Sequence, residues 1–207
     1  EEFGLLGEAV VDVRSLQGGT MFFMDCEEEG FLTVGCAGGR SVLCHLPLIR
    51  EEFAGETLAV RVSGLVGGHS GVEINKGRAN ADVLLGRLLR AMSAATELRL
   101  VSAEGGNKDN AIPTAAAAVV TVADGSAARK AAETLAAELK KEYRIADPGL
   151  TVAVETVETK SLPMDEVTTG KGGMTVSFAP ESAVFTGPPE EQKDEFHMYS
   201  SDQLCYT

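Results

Sequence analysis

Over Thr57 to Leu65 the apolar residues Leu58, Val60 and Val62 alternate with polar or small ones, the two-residue period of a strand with one buried face. From roughly Gly77 the period changes. Leu84, Leu88, Met92 and Ala95 recur at helical spacing and predict an amphipathic helix. Glu97 to Ser102 reads as a strand, Gly105-Gly106-Asn107 as a turn, and Ala115 to Val122 as a further strand. Asp124-Gly125-Ser126 stops that strand and supplies a helix cap, and the alanine-rich run Ala127 to Tyr143 has strong helix propensity. Pro148-Gly149 ends the helix, and Leu150 to Val157 reads as a closing strand. The order strand, helix, strand, strand, helix, strand predicts a ferredoxin-like α+β sandwich with both helices on one face of an antiparallel sheet. The other face, or an edge strand, is left for a partner.

The flanks are less regular. Thr20 to Met24 is an apolar burst that runs into Asp25-Cys26-Glu27-Glu28-Glu29-Gly30, the pattern of a buried strand ending in an acidic loop. Phe31 to Val34 resumes strand character, and Gly35-Cys36-Ala37-Gly38-Gly39 breaks it, which puts a domain boundary close to Gly39. Past Lys160 the pattern gives way to glycine, proline and charge, so residues 167–207 read as an unplaced, poorly ordered tail. The chain opens at Glu1, without Met and within an acidic motif, which predicts an internal piece of a larger enzyme.

Composition narrows the classes. A 207-residue chain with 44% hydrophobic residues can bury a substantial core. With 31 acidic against 18 basic residues the formal charge is -13, so a nucleic-acid backbone would be repelled. No apolar run approaches the ~20 residues of a membrane helix. Cys26, Cys36, Cys44 and Cys205 show neither disulfide-framework nor zinc-knuckle spacing, consistent with a reducing, cytoplasmic setting.

Two groups of residues carry candidate chemistry. Glu1, Glu2 and Asp25 are carboxylates of the type that holds paired divalent cations, with one left over to take a proton from water. On spacing alone a solvated acidic surface is the commoner explanation. His69 lies within Gly67-Gly68-His69-Ser70-Gly71, where flanking glycines let the backbone approach a ligand and the imidazole can donate to a developing oxyanion. A simple turn histidine, or a weak anion site, fits the same residues equally well. His45, in the strand-like stretch Ser41 to Leu48, reads as a packed or edge histidine. Cys26 reads as small packing, and Glu27 to Glu29 as solvated acids, since no calcium-loop pattern surrounds them.

Six ordered blocks then resemble one family. Glu1-Glu2-Phe3-Gly4-Leu5-Leu6-Gly7, Asp25 to Gly30, Gly35 to Gly39, the His69 block with Val72-Glu73-Ile74, Gly77-Arg78-Ala79-Asn80-Ala81, and Gly105-Gly106-Asn107 with Asn110-Ala111-Ile112-Pro113 are similar to the aminoacyl-histidine dipeptidases. These are co-catalytic zinc metallopeptidases related to carnosinase. The resemblance runs from Glu1 to about Pro113 and more weakly to about Glu166. It implies that residues 1–39 are part of an α/β zinc-peptidase catalytic domain and residues 40–166 a lid that forms a homodimer. It further implies hydrolysis of short dipeptides, Xaa-His among them, by a water shared between two divalent ions, zinc first and manganese or cobalt otherwise. Glu1 would match the general base, Glu2 and Asp25 metal ligands, His69 a donor reaching a neighbouring subunit's site, and Asn110 a substrate-holding residue.

The family's first metal histidine, its bridging Asp and its last histidine ligand have no match in these residues, and Gly170 to Thr207 matches nothing in the pattern, whether native or a shifted reading frame. Two other functions fit the same sandwich: a non-catalytic dimerisation or small-molecule-binding module, and a related amide hydrolase or deacetylase.

Overall fold

The computed structural model describes residues 14, 17–19, 29–30, 41–71, 73–106, 111–169, 183–186 and 195–201, with strands 41–47, 183–186 and 195–201 described by their backbone alone. The chain divides into two compact units, one of residues 1–39 with 203–207 and one of residues 40–202. Almost all described residues belong to the second.

That unit holds strands β1 (Ser41–Pro47), β2 (Glu56–Ser63), β3 (Gly68–His69), β4 (Leu98–Gly105), β5 (Ala111–Ile112), β6 (Ala116–Val122), β7 (Thr151–Thr156), β8 (Ala183–Thr186) and β9 (Glu195–Ser201). Its two long helices are α1 (Ala81–Ala95) and α2 (Gly125–Glu142). Seven strands form one sheet in the order β1-β9-β8-β4-β6-β2-β7, and β3 pairs with β5 apart from it. Neighbours in the stretch β4-β6-β2-β7 are all antiparallel. Strands β2 and β4, joined through α1, therefore run parallel with β6 between them, the split arrangement of the ferredoxin-like sandwich that the sequence order predicts.

Alternation decides which face is buried. Leu58, Val60 and Val62 of β2 are fully buried, and opposite them on β6 Val120, Ala118 and Ala116 are buried too, at 4% exposure or less. Helix α1 lays Leu84, Leu85, Leu88, Leu89 and Met92 on that face, the i, i+4 spacing of an apolar stripe. Helix α2 adds Ala128, Ala132 and Leu139. Its small inward residues let it lie close beside α1, and Arg87 of α1 grips Glu142 of α2 through two parallel bonds of 3.0 and 2.8 Å. That pair is exposed and adds at most about 1 kcal/mol.

Both helices start on side-chain caps. The Asn80 side chain accepts the N–H groups of Asp82 and Val83 at 2.9 and 3.3 Å, so α1 begins at Ala81 rather than near Gly77. Gly77, left-handed at φ 62°, instead ends a short 3-10 turn over Ile74–Lys76. Asp124 caps α2 by accepting from Ser126 and Ala127 at 2.9 and 3.0 Å.

The stretch read as an unplaced tail contains two strands. Strand β9 pairs antiparallel with β1 and β8, and β8 meets β4 at Gly105–Phe185. The runs Ala183-Val184-Phe185 and Phe196-His197-Met198-Tyr199 are too short to stand out among surrounding glycine, proline and charge. Pairing partners far along the chain extend them into a ladder, a non-local effect that no short window displays.

Asp82 is a buried acid in the first turn of α1. Asp82 is completely buried, and among the described residues neither carboxylate oxygen has a hydrogen-bond partner. It packs directly against Gly105, where any larger side chain would collide with Oδ1. Its place in the first turn of α1 favours the ionised form by roughly 0.3–1 kcal/mol. Desolvation outweighs that and pushes its pKa from the usual 3.8 to about 8. Because the fold holds the proton more tightly than the unfolded chain does, stability falls as pH rises from 3.8 and levels out above about 8. Asp82→Asn removes the charge at constant shape. Urea midpoints at pH 5 and pH 8 are expected to differ less in the variant than in the wild type, with a gain of about 1–3 kcal/mol at pH 8; equal slopes would refute the assignment.

Candidate functional site

The connection from β2 to α1 runs from Gly64 to Asn80, much longer than the usual ~4–6 residues. It carries His69. Strand β3, with His69 at its end, is held by a two-residue ladder to β5, Gly68 opposite Ile112 and His69 opposite Ala111. Beyond it the chain folds back on itself. The Glu73 N–H donates to the His69 carbonyl at 3.2 Å, and the 3-10 turn over Ile74–Lys76 follows.

Charge holds this loop together. Glu73 accepts the backbone N–H of His69 through Oε2 at 2.9 Å, while Oε1 pairs with Lys76 and lies 3.3 Å from Arg78. Arg78 also donates to the Gly67 carbonyl. Gly68, at φ 143°, fits between these groups, since a side chain there would lie 2.7 Å from Glu73 Oε2 and closer still to the Arg78 guanidinium. At both ends the loop is tied to one carboxylate: Asp147, 1% exposed, accepts the Val66 N–H through Oδ1 and the Ala79 N–H through Oδ2, each at 2.7 Å.

The His69 ring is fixed by its own backbone. Its Nδ1 accepts the Gly71 N–H at 3.0 Å. A ring nitrogen that accepts a backbone N–H cannot carry the proton of the neutral imidazole, so Nε2 carries it. With Nδ1 occupied as an acceptor, the exposed His69 presents its other ring nitrogen, Nε2, as the N–H donor. Such a donor suits an oxygen on which negative charge develops.

Of the other residues singled out in the sequence, Glu1, Glu2, Asp25 and Asn110 lie outside the described residues. Among the described residues there is no group of three or more His, Cys, Asp or Glu able to hold a metal ion. His45 lies on β1 opposite His197 on β9, an edge-of-sheet position in keeping with a strand histidine. Sequence reasoning passed over Asp147, which looks like an ordinary turn residue before Pro148, and treated Glu73 and Arg78 only as members of longer blocks. The single clue was that both sit within charged positions of an otherwise glycine-rich loop.

Residues 60–147 match the peptidase dimerisation domain, a span that covers both helices, strands β4 and β6 and the second half of β2. The chain is 42% identical over 125 residues to the cytosol non-specific dipeptidase of Escherichia coli (strain K12), across 59% of this chain and 26% of that protein. Its structure also superposes on the aminoacylhistidine dipeptidase of Vibrio alginolyticus with a TM-score of 0.75 and 25% identity, covering 97% of this chain and 45% of that one. Over these spans the chain is similar to those dipeptidases. It spans about a quarter of the length of the first and under half of the second. The dipeptidase likeness, the ferredoxin-like unit and the match to a dimerisation domain agree with the resemblance drawn from the six sequence blocks. No described helix is long and apolar enough to cross a membrane.

The Glu73 contacts make a measurable statement about pH. The Lys76 ammonium, and then the His69 N–H, hold the Glu73 carboxyl down from the usual 4.5 to about 2. Since the folded value is the lower one, the tie to His69 is complete above 4.5 and is lost only as pH falls through about 2. The His69 amide resonance should titrate with a midpoint near 2. A midpoint at the ordinary carboxylate position would show that Glu73 does not bond it.

Proposed function

We propose that this chain supplies the lid and part of the catalytic domain of a metal-dependent dipeptidase that hydrolyses short dipeptides, Xaa-His among them. The observation that carries this reading is the His69 ring, whose Nδ1 accepts the Gly71 N–H and leaves Nε2 as the donor, on a loop braced by charge. In that role His69 polarises the scissile carbonyl and steadies the tetrahedral oxyanion, and its Nε2–H gives up no proton in doing so. Two divalent ions, zinc first and manganese or cobalt otherwise, would supply Lewis acidity and a water of lowered pKa when bound. Glu2 and Asp25 are hard oxygen donors suited to holding such ions, and Glu1 takes the proton as general base. Asn110 holds the substrate. The setting is cytoplasmic, and neither nucleic acid nor membrane takes part.

With acid–base and metal-binding residues assigned to residues 1–39, His69 serves a site it does not itself contain, and a homodimer through the lid brings it to the neighbour's substrate. The dimerisation-domain match supports that arrangement, as does β7, the outermost strand of the sheet, whose second edge has no neighbouring strand among the described residues. The 207-residue chain is expected to sediment as a dimer at micromolar concentration. A monomer throughout that range would remove the shared-site part of the reading.

Catalysis is tested in a hybrid. When residues 40–166 replace the corresponding segment of the Escherichia coli dipeptidase, His69→Ala should lower kcat on a Xaa-His dipeptide by about 10²–10³ with KM little changed, the loss expected for one oxyanion donor. Unchanged turnover would take His69 out of the reaction. Loss of binding with kcat preserved would assign it to substrate affinity instead.

A further inference from the structure

The loop that carries His69 is closed by two carboxylates at two levels. Asp147 lies just past the end of α2, far along the chain from the loop, and takes one N–H from each end of it with separate oxygens. It is itself fixed by its own backbone, the Asp147 N–H donating to the Tyr143 carbonyl at 2.8 Å and its carbonyl accepting from Leu150 at 3.1 Å. Within the closed loop Glu73 takes the His69 N–H, and Lys76 and Arg78 hold that carboxylate in place. Glycines 67 and 68, at φ 68° and 143°, leave this backbone many alternative conformations. The Gly71 N–H to Nδ1 bond needs residues 69 and 71 in one particular relation; the short β3–β5 ladder does not reach residue 71, which is held from the turn that Glu73 begins, the Ile74 N–H donating to its carbonyl at 3.3 Å.

We propose that Asp147 and Glu73 are positioning residues for His69: Asp147 clasps both ends of the loop, Glu73 anchors the histidine backbone, and the ring is thereby presented in a single tautomer. The inference rests on the role assigned to His69 above. Neither carboxylate touches substrate. Each acts by restricting the conformations of the loop, which raises the fraction of molecules whose Nε2–H is ready to donate.

The test reads the tautomer directly in the full 207-residue chain. With the histidines labelled by 15N, the His69 imidazole signals are identified by their loss in His69→Gln. The wild type is expected to show the Nε2–H pattern. In Glu73→Ala the pattern should give way to a mixture of tautomers, and the His69 and Gly71 amides should exchange with solvent about tenfold faster, with the melting temperature unchanged. Glu73→Gln keeps a carbonyl acceptor for the His69 N–H and should restore both readouts, which a purely electrostatic stabilising role would not. Asp147→Asn turns one acceptor into a donor facing an N–H and should speed exchange at Val66 or Ala79 by a similar factor. Wild-type tautomer and exchange in Glu73→Ala would overturn the proposal. Glu73 lies on the exposed loop, so that variant decides the matter even where Asp147→Asn unfolds. None of these readouts needs turnover: absence of dipeptidase activity would remove the catalytic reading and leave the clasp standing.

Discussion

Burial of one face of the β2–β6 pair is the constraint from which the rest of the unit follows. Leu58, Val60 and Val62 pack beside Ala118, Val120 and Val122, and these residues cannot be covered by the sheet itself. Two helices on the same side must cover them, which fixes the crossover from β2 through α1 to β4 and the one from β6 through α2 to β7. Fully burying a side chain of this size contributes roughly 1.5–3 kcal/mol. The surface ion pairs contribute at most about 1 kcal/mol each, so they select between helix positions without deciding the fold. Small residues on α2 then matter for geometry more than for energy, because they let the second helix share the face that α1 already occupies.

The same constraint explains where a functional loop can go. A crossover in such a unit needs only a few residues between strand and helix, and the one after β6 is that short: Val122 is followed by the cap Asp124 and the start of α2 at Gly125. The one after β2 is long, and its extra length buries little, with Val66 and Ile74 left 54% and 40% exposed. Length without burial has an entropic cost that packing does not return. The loop is held instead by polar contacts from outside itself, above all those of Asp147. A sandwich already stable from its core can afford such a segment, and a side chain on it can reach beyond the unit's own surface.

Much of this was legible in the residues. The alternation over Thr57 to Leu65 and the Leu84, Leu88, Met92 stripe report burial through local period, so β2 and α1 were readable, and Asp124 announced α2 through its capping chemistry. The start of α1 was misjudged by a few residues because Gly77 and Asn80 both punctuate the chain, and only the structure shows that the first ends a 3-10 turn and the second caps the helix. Strands β8 and β9 were invisible for the opposite reason: their stability is supplied by β1 and β4, more than 75 residues away in sequence. His69 was visible because glycines bracket it, yet its tautomer was not, since that depends on which nitrogen the Gly71 N–H happens to face. Asp147 carries no local signal at all. A carboxylate that accepts from Val66 and Ala79 looks, in one dimension, like any acid before a proline.

Among the described residues, two buried carboxylates show why partner geometry, not burial, decides what an acid does. Asp147 and Asp82 are almost equally inaccessible, at 1% and 0%. Asp147 faces two backbone N–H groups at 2.7 Å, so burial strengthens its bonds by removing the water that would compete for them. Asp82 faces Gly105 and the apolar start of α1, where the same exclusion of water leaves its charge uncompensated and drives it towards the neutral form. One acid therefore organises the loop through the two N–H groups it accepts, while the other is tolerated by holding its proton. Two acceptor oxygens held in place by packing can fix the spacing of the backbone around His69, and the direction of an imidazole N–H depends on that spacing.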